Sequence, residues 1–311
     1  MRQMAKPHVH THLSRPLGHV LACTAAFIWS FNFIGIKMAR EEIGPFALAM
    51  IRFDIGAAVA LVILLIRRPN LRAIRPISWL LIVGVSVLAG PGFHILLNIG
   101  AEGTDTGLIA ILIATQSLHV AWAGALFLGE RVARRQVAAL MIAFAGLAVP
   151  LVADDGMGYL SIGYPLMILV GAVLASTNII LPRVLVAHVN TIDLACLVVI
   201  AGAILSQPLL VFEGLDGLSN LSVTGWWVVG YLGTIGMVIV FLIWYAALRR
   251  LPAVTAGFYL FVMMVCSVIW GALLRDEPFS WTYAVAALAV LLGIYLNATS
   301  GAIHRKPMMV D

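Results

Sequence analysis

Residues 46–66 read FALAMIRFDIGAAVALVILLI, an apolar run between Pro45 and the pair Arg67-Arg68. At about 1.5 Å per helical residue, a run of this length crosses the roughly 30 Å hydrocarbon core of a bilayer. Arg52 and Asp54 sit inside it, and a charge at that depth is costly unless it has a partner or faces a water-filled cavity. The stretch reads as a membrane helix that also carries polar chemistry.

The rest of the chain has the same character. Its 311 residues are 62% hydrophobic and 11% charged, with a mean hydropathy of +1.04, against about 45–50% apolar and about 25% charged in soluble domains. No soluble packing buries that much apolar surface. The net charge of +5 would suit a nucleic-acid partner only if gathered on one face. Here the basic residues lie between apolar blocks, so no nucleic acid is expected. Cys23, Cys196 and Cys266 fall within apolar runs, which argues against a disulfide framework or a metal site.

A window of about 20 residues predicts ten spans: 17–37, 46–66, 77–97, 107–128, 137–152, 160–181, 192–212, 225–248, 253–274 and 281–298. The expected fold is an all-α integral membrane protein of ten helices. The basic segment before the first span, with Leu21-Ala22-Cys23, resembles a cleavage signal. Too few apolar residues precede Cys23, however, and the apolar run continues past it. Loop charges orient the chain. With the N-terminus in the cytoplasm, that side holds Arg2, Lys6, Arg15, Arg67, Arg68, Arg72, Arg75, Arg131, Arg134, Arg135, Arg183, Arg249, Arg250, Arg305 and Lys306, and the other only Lys37, Arg40 and Arg275. Both termini are expected to be cytoplasmic, in a plasma or inner membrane.

The sequence also repeats itself, which bears on the fold before any other motif. A shift of 146 places Ser30, Asn32 and Lys37 on Ser176, Asn178 and Arg183, Gly84 on Gly230, and Gly90 on Gly236. A shift of 147 places Gly124 on Gly271, Glu130 on Glu277, and Gly146 on Gly293. Residues 1–16 and 301–311 then read as tails, 17–155 as a first five-helix half and 156–300 as a second. An odd number of helices per half inserts the two halves in opposite senses around a central cavity, an arrangement found in secondary transporters.

The stretches FIWSFNFIGIKMAREEIGPFALAMIRF (27–53) and LFLGERVARRQVAALMIAFAGL (126–147) resemble the EamA-type branch of the drug/metabolite transporter superfamily. WYAALRRLPAVTAG (244–257) and LLRDEPFSWTYAVAALAVLLGIYL (273–296) repeat the resemblance more weakly. Its strongest elements are Trp29, Ser30, Asn32, Lys37, Pro45, Arg52 and Gly129-Glu130-Arg131. The resemblance implies ten helices and, from bacterial relatives, export of amino acids or other metabolites. Relatives often have a proline in the middle of the helix before the Gly-Glu pair, where this chain has Ser117 and Met264.

Polar residues within the spans are the candidate cavity groups, each with a structural alternative. Gln116 and His119 share a helix face and lie roughly 14–18 Å from the helix start. They suit a zwitterion, a proton carrier, or an interhelical hydrogen bond. Pro91-Gly92 predicts a kink, with His94 and Asn98 following on one face. Asn32 and Asn178 are repeat mates, as cavity walls or as packing amides. Trp244, Tyr245 and Tyr259 are substrate aromatics or members of an interfacial belt. Arg52 either pairs with Glu41 or Glu42 or attracts a substrate carboxylate, and Asp54 is a candidate proton relay.

His8, His10 and His12 read as a solvated tail. No HExxH, GxSxG, Walker loop or CxxC occurs, so neither an enzyme nor an ATP-driven pump is expected, and no cofactor. The functional expectation is a secondary transporter of neutral or zwitterionic metabolites, amino acids first. Other metabolites or drugs, or a non-transporting receptor or scaffold, are the alternatives.

Overall fold

A computed structural model describes residues 14–104, 106–130, 132–153, 163–214, 216–275 and 281–298. The tails with His8, His10 and His12, the junction between the halves at 155–156, the start of the sixth span at Leu160, and Arg131 and Glu277 lie outside these residues. The described chain is helical: α1 (Ser14–Arg40), α2 (Pro45–Arg67), α3 (Pro76–Val87), α4 (Phe93–Gly100), α5 (Thr106–Ala114), α6 (Gln116–Phe127), α7 (Arg134–Ala153), α8 (Gly163–Leu185), α9 (Thr191–Ser206), α10 (Val223–Gly233), α11 (Val240–Leu248), α12 (Ala253–Gly257), α13 (Leu260–Arg275) and α14 (Trp281–Ala298).

Among the described residues, eight helical segments are long and apolar enough to cross a membrane; α3–α4, α5–α6, α10–α11 and α12–α13 each form one of them. The expected fifth and tenth spans fall on α7 and α14, of 20 and 18 residues. Large apolar side chains cover the outside, among them Ile66 at 78%, Trp227 at 77% and Leu273 at 67% exposure. Water would not tolerate so continuous a surface, and lipid does.

Four of the crossings are interrupted. Between α3 and α4, Pro91 cannot donate to the Val87 carbonyl, and the chain opens into a π-helical turn over Leu88–Gly92 with Gly90 at φ −88°, ψ −120°. A second π-helical turn, Thr234–Ile239, joins α10 to α11. Its first residue is 146 positions after Leu88, and it contains no proline. Between α5 and α6 the Thr115 hydroxyl donates to Leu112 O at 2.6 Å, competing with the helical ladder. Between α12 and α13 the freed Gly257 carbonyl accepts from the Ser117 hydroxyl at 2.8 Å. Ser117 thus satisfies a break in the opposing helix.

Charges sit at the two ends of the bundle and mostly hold helices to one another. At one end Arg40 pairs with Glu102, Arg275 with Glu41 at 2.8 Å, and the Glu42 carboxylate accepts from the Ser222 backbone and hydroxyl. Glu213 accepts from Phe46 N and Ala47 N, capping α2. At the opposite end Arg67 pairs with Asp193 at 2.8 Å. There Glu130 caps α12 by accepting from Ala253 N and Val254 N. A carboxylate at a helix N-terminus satisfies free N–H groups and the helix dipole together.

Close helix contacts occur in matched pairs. Where α2 meets α9, a Cβ on Gly56 would stand 3.0 Å from Val199, and one on Gly202 2.5 Å from Phe53; Gly56 and Gly202, like Phe53 and Val199, are 146 apart. Where α7 meets α14, Gly146 lies against Ala286 and Gly293 against Ala139, pairs related by 147. Gly230, the repeat mate of Gly84, has nothing within 4 Å of such a Cβ. It faces open space because α10 turns that side away from its neighbours.

Candidate functional site

The interruptions surround a central cavity with about 660 Å³ of atom-free space, counting its open mouth. Its wall is mostly apolar, with Trp29, Phe33, Phe93, Met237, Phe241 and Met263 among the larger contributors. The polar groups on it are Asn32, Arg52, His94, Gln116 and Asn178.

Each is held by its own element. Asn32, on α1, donates through Nδ2 to the Gly236 carbonyl at 2.9 Å, inside the second π-helical turn, which leaves Asn32 Oδ1 without a partner. Asn178, on α8, accepts from the Tyr245 hydroxyl at 2.7 Å. The kink before α4 delivers His94, whose ring packs edge-on to Phe53 at 5.3 Å. Arg52, on α2, is 1% exposed, with Nη1 3.4 Å from His94 Nδ1. Because a guanidinium can only donate, this ring nitrogen is the acceptor. Arg52 Nε and Nη2 have no partner.

The expected pairing of Arg52 with Glu41 or Glu42 is not formed, since those carboxylates are taken by Arg275 and Ser222 at the end of the bundle. Six expected residues lie off the wall, among them Tyr245, which reaches Asn178 from behind it. Asn98 is fully buried and donates to Pro45 O at 2.9 Å, tying α4 to the start of α2. His119 lies one turn beyond Gln116 on α6, outside the cavity lining, with Nδ1 unpartnered. Trp244 stands behind the wall, its ring 5.1 Å from Trp29. Tyr259 meets His19 Nδ1 at 2.7 Å. Asp54 accepts from Gln207 at 2.8 Å. Sequence reading passed over Phe33, Phe93 and Met237 because an apolar residue facing a cavity and one packed in a core have the same signature.

Trp29, Phe241, Trp244 and Tyr245 form one aromatic layer. Trp29 meets Phe241 edge-on at 6.1 Å and Phe241 stacks on Tyr245 at 5.6 Å. A helical membrane protein with a polar-studded cavity flanked by such a layer is built to hold a solute within the bilayer, as a transporter does.

The EamA-like transporter family model matches residues 16–151 and 162–299, and the chain belongs to this family of membrane transporters. It is 29% identical over 280 residues to an uncharacterized transporter of Archaeoglobus fulgidus, covering 89% of this chain and 96% of that one. It is 29% identical over 250 residues to a "Probable terminal-alkyne amino-acid exporter" of Streptantibioticus cattleyicolor, covering 78% and 81%. A "Probable amino-acid metabolite efflux pump" of Escherichia coli is 25% identical over 288 residues, covering 89% and 93%. One solved crystal structure, 22% identical, superposes with a TM-score of 0.72 over 92% of this chain and 97% of its own, a likeness of fold.

Proposed function

We propose that the protein is a secondary transporter that exports small neutral or zwitterionic metabolites by alternating access, amino acids first and bulky or aromatic ones among them. The observation that carries this reading is the cavity, whose lining comes from both family-matched segments: Trp29 to Gln116 from the first, Ala175 to Met263 from the second. The names of two relatives, an amino-acid exporter and an amino-acid metabolite efflux pump, support the substrate class.

In this reading α7 and α14 complete ten crossings, residues 17–155 and 156–300 are two five-helix halves inserted in opposite senses, and both termini face the cytoplasm at the plasma (inner) membrane. The matched contacts support the halves. Two like units about a two-fold axis must pair each contact with its mirror, and Gly56–Val199 with Gly202–Phe53, and Gly146–Ala286 with Gly293–Ala139, do so. Rocking of one half against the other then exposes a fixed site to each side in turn. Asp54 and His119 lie off the cavity, which favours flux down the solute's own gradient over a proton relay through either.

Counterflow in reconstituted vesicles tests the reading. Vesicles loaded with unlabelled phenylalanine or tryptophan are expected to accumulate the labelled amino acid above protein-free controls and to leave a labelled nucleotide sugar outside. Absence of amino-acid flux would remove amino acids as the substrate class.

A further inference from the structure

Arg52 is buried beyond the reach of bulk solvent, yet three of its five N–H groups have no partner. Its Nη1 meets His94, while Nε and Nη2, which together form the side-on edge of a guanidinium, have no partner. That edge is the fork that grips a carboxylate with two parallel hydrogen bonds. No protein carboxylate is free to fill it among the described residues nearby. Glu41 is paired with Arg275, Glu42 with Ser222, Glu213 with the start of α2, and Asp54 with Gln207. A buried charge without a counterion is unstable in apolar surroundings, and a carboxylate on the solute would supply the missing countercharge.

We propose that Arg52 is the carboxylate seat of the cavity, so that its solute is recognised by a carboxylate and not by an ammonium group. No Asp or Glu lines the cavity to match an ammonium. Such a group would find only the amide oxygens of the wall, those of Asn32 and Gln116 among them, in the same low-dielectric space as the guanidinium that repels it. With Arg52 charged, a monocarboxylate brings the loaded cavity to neutrality, a zwitterion leaves one positive charge, and a plain amine makes two. The remaining wall, Trp29, Phe33, Phe93 and Phe241, fits an apolar or aromatic body. The class is therefore monocarboxylates with such a body, whether or not they carry an α-amino group. The flux part of this inference rests on the transport reading above, and the binding part does not.

The test measures both on one matched panel: phenylalanine, phenylpyruvate, phenylalaninamide and phenethylamine. With purified protein in detergent, phenylalanine and phenylpyruvate are expected to bind at least tenfold more tightly than the amide and the amine. Arg52→Lys keeps the charge but loses the planar fork, and Arg52→Gln loses both. Each is expected to weaken the two carboxylates at least tenfold and to narrow the acid-to-amide ratio to within about threefold. Amine binding equal to that of the acids in the unaltered protein, or no binding of either carboxylate, overturns the proposal, as does an unchanged ratio in a correctly folded Arg52→Lys. Carboxylate binding without counterflow instead overturns the transport reading and leaves the seat intact.

Discussion

At the residue scale, what a side chain does here was set by partners that the sequence does not bring near it. Tyr259 and His19 are 240 positions apart and meet at 2.7 Å; nothing in either neighbourhood points to the other. For Arg52 the cost of burial was readable from FALAMIRF, but its lack of a carboxylate partner was not, because Glu41 and Glu42 stand close in sequence and are drawn to Arg275 and Ser222. Gln116 and His119 share a helix face but not a depth, and only the first reaches the cavity. Tyr245 and Asn178 give a direct test. Tyr245→Phe removes the buried 2.7 Å hydrogen bond with little change in shape, and such a bond in a helical membrane protein contributes about 1 kcal/mol. A loss of about that size in reversible unfolding from mixed micelles is expected.

Elements were more legible than residues, because length and apolarity alone decide whether a helix can cross a bilayer. The second span was expected at 46–66 and α2 runs Pro45–Arg67; the ninth was expected at 253–274 and α12–α13 run Ala253–Arg275. The breaks were legible only in part. Pro91 announced one; Thr115 did not, since a hydroxyl can interrupt a helix without a proline or glycine signature, and Gly257 before the Phe258–Tyr259 turn is one glycine among many in apolar runs. Nor did the sequence show that Glu130, in the connection after α6, would cap α12. Glu130→Gln keeps the shape and removes the charge at that N-terminus, so a loss of about 1 kcal/mol is expected. Faster amide exchange at Ala253 and Val254 would locate it there; unchanged protection at both would contradict the assignment.

For the whole molecule, offsets of 146 and 147 were visible in the sequence through Ser30, Asn32 and Gly146. Gly56 and Gly202 escaped notice, since two glycines in apolar runs mean little until Phe53 and Val199 are seen facing them. Gly56→Ala and Gly202→Ala are each expected to destabilise by about 1–3 kcal/mol through overpacking. Gly230→Ala, facing open space on a helix, is expected to be neutral or stabilising by up to about 1 kcal/mol. Thermal unfolding of the three variants reverses this ranking if the α2–α9 contact is not as described. The π-helical turns at Leu88–Gly92 and Thr234–Ile239 bear on the same architecture in another way. Each adds one residue to an α-helical course, so everything beyond it is rotated by about 100° from where an unbroken helix would place it. Excising a single residue from the first turn would swing Phe93, His94 and Leu97 away from the solute while shortening the rod by only about 1.5 Å; the chamber owes its lining to a surplus residue in each of two long rods.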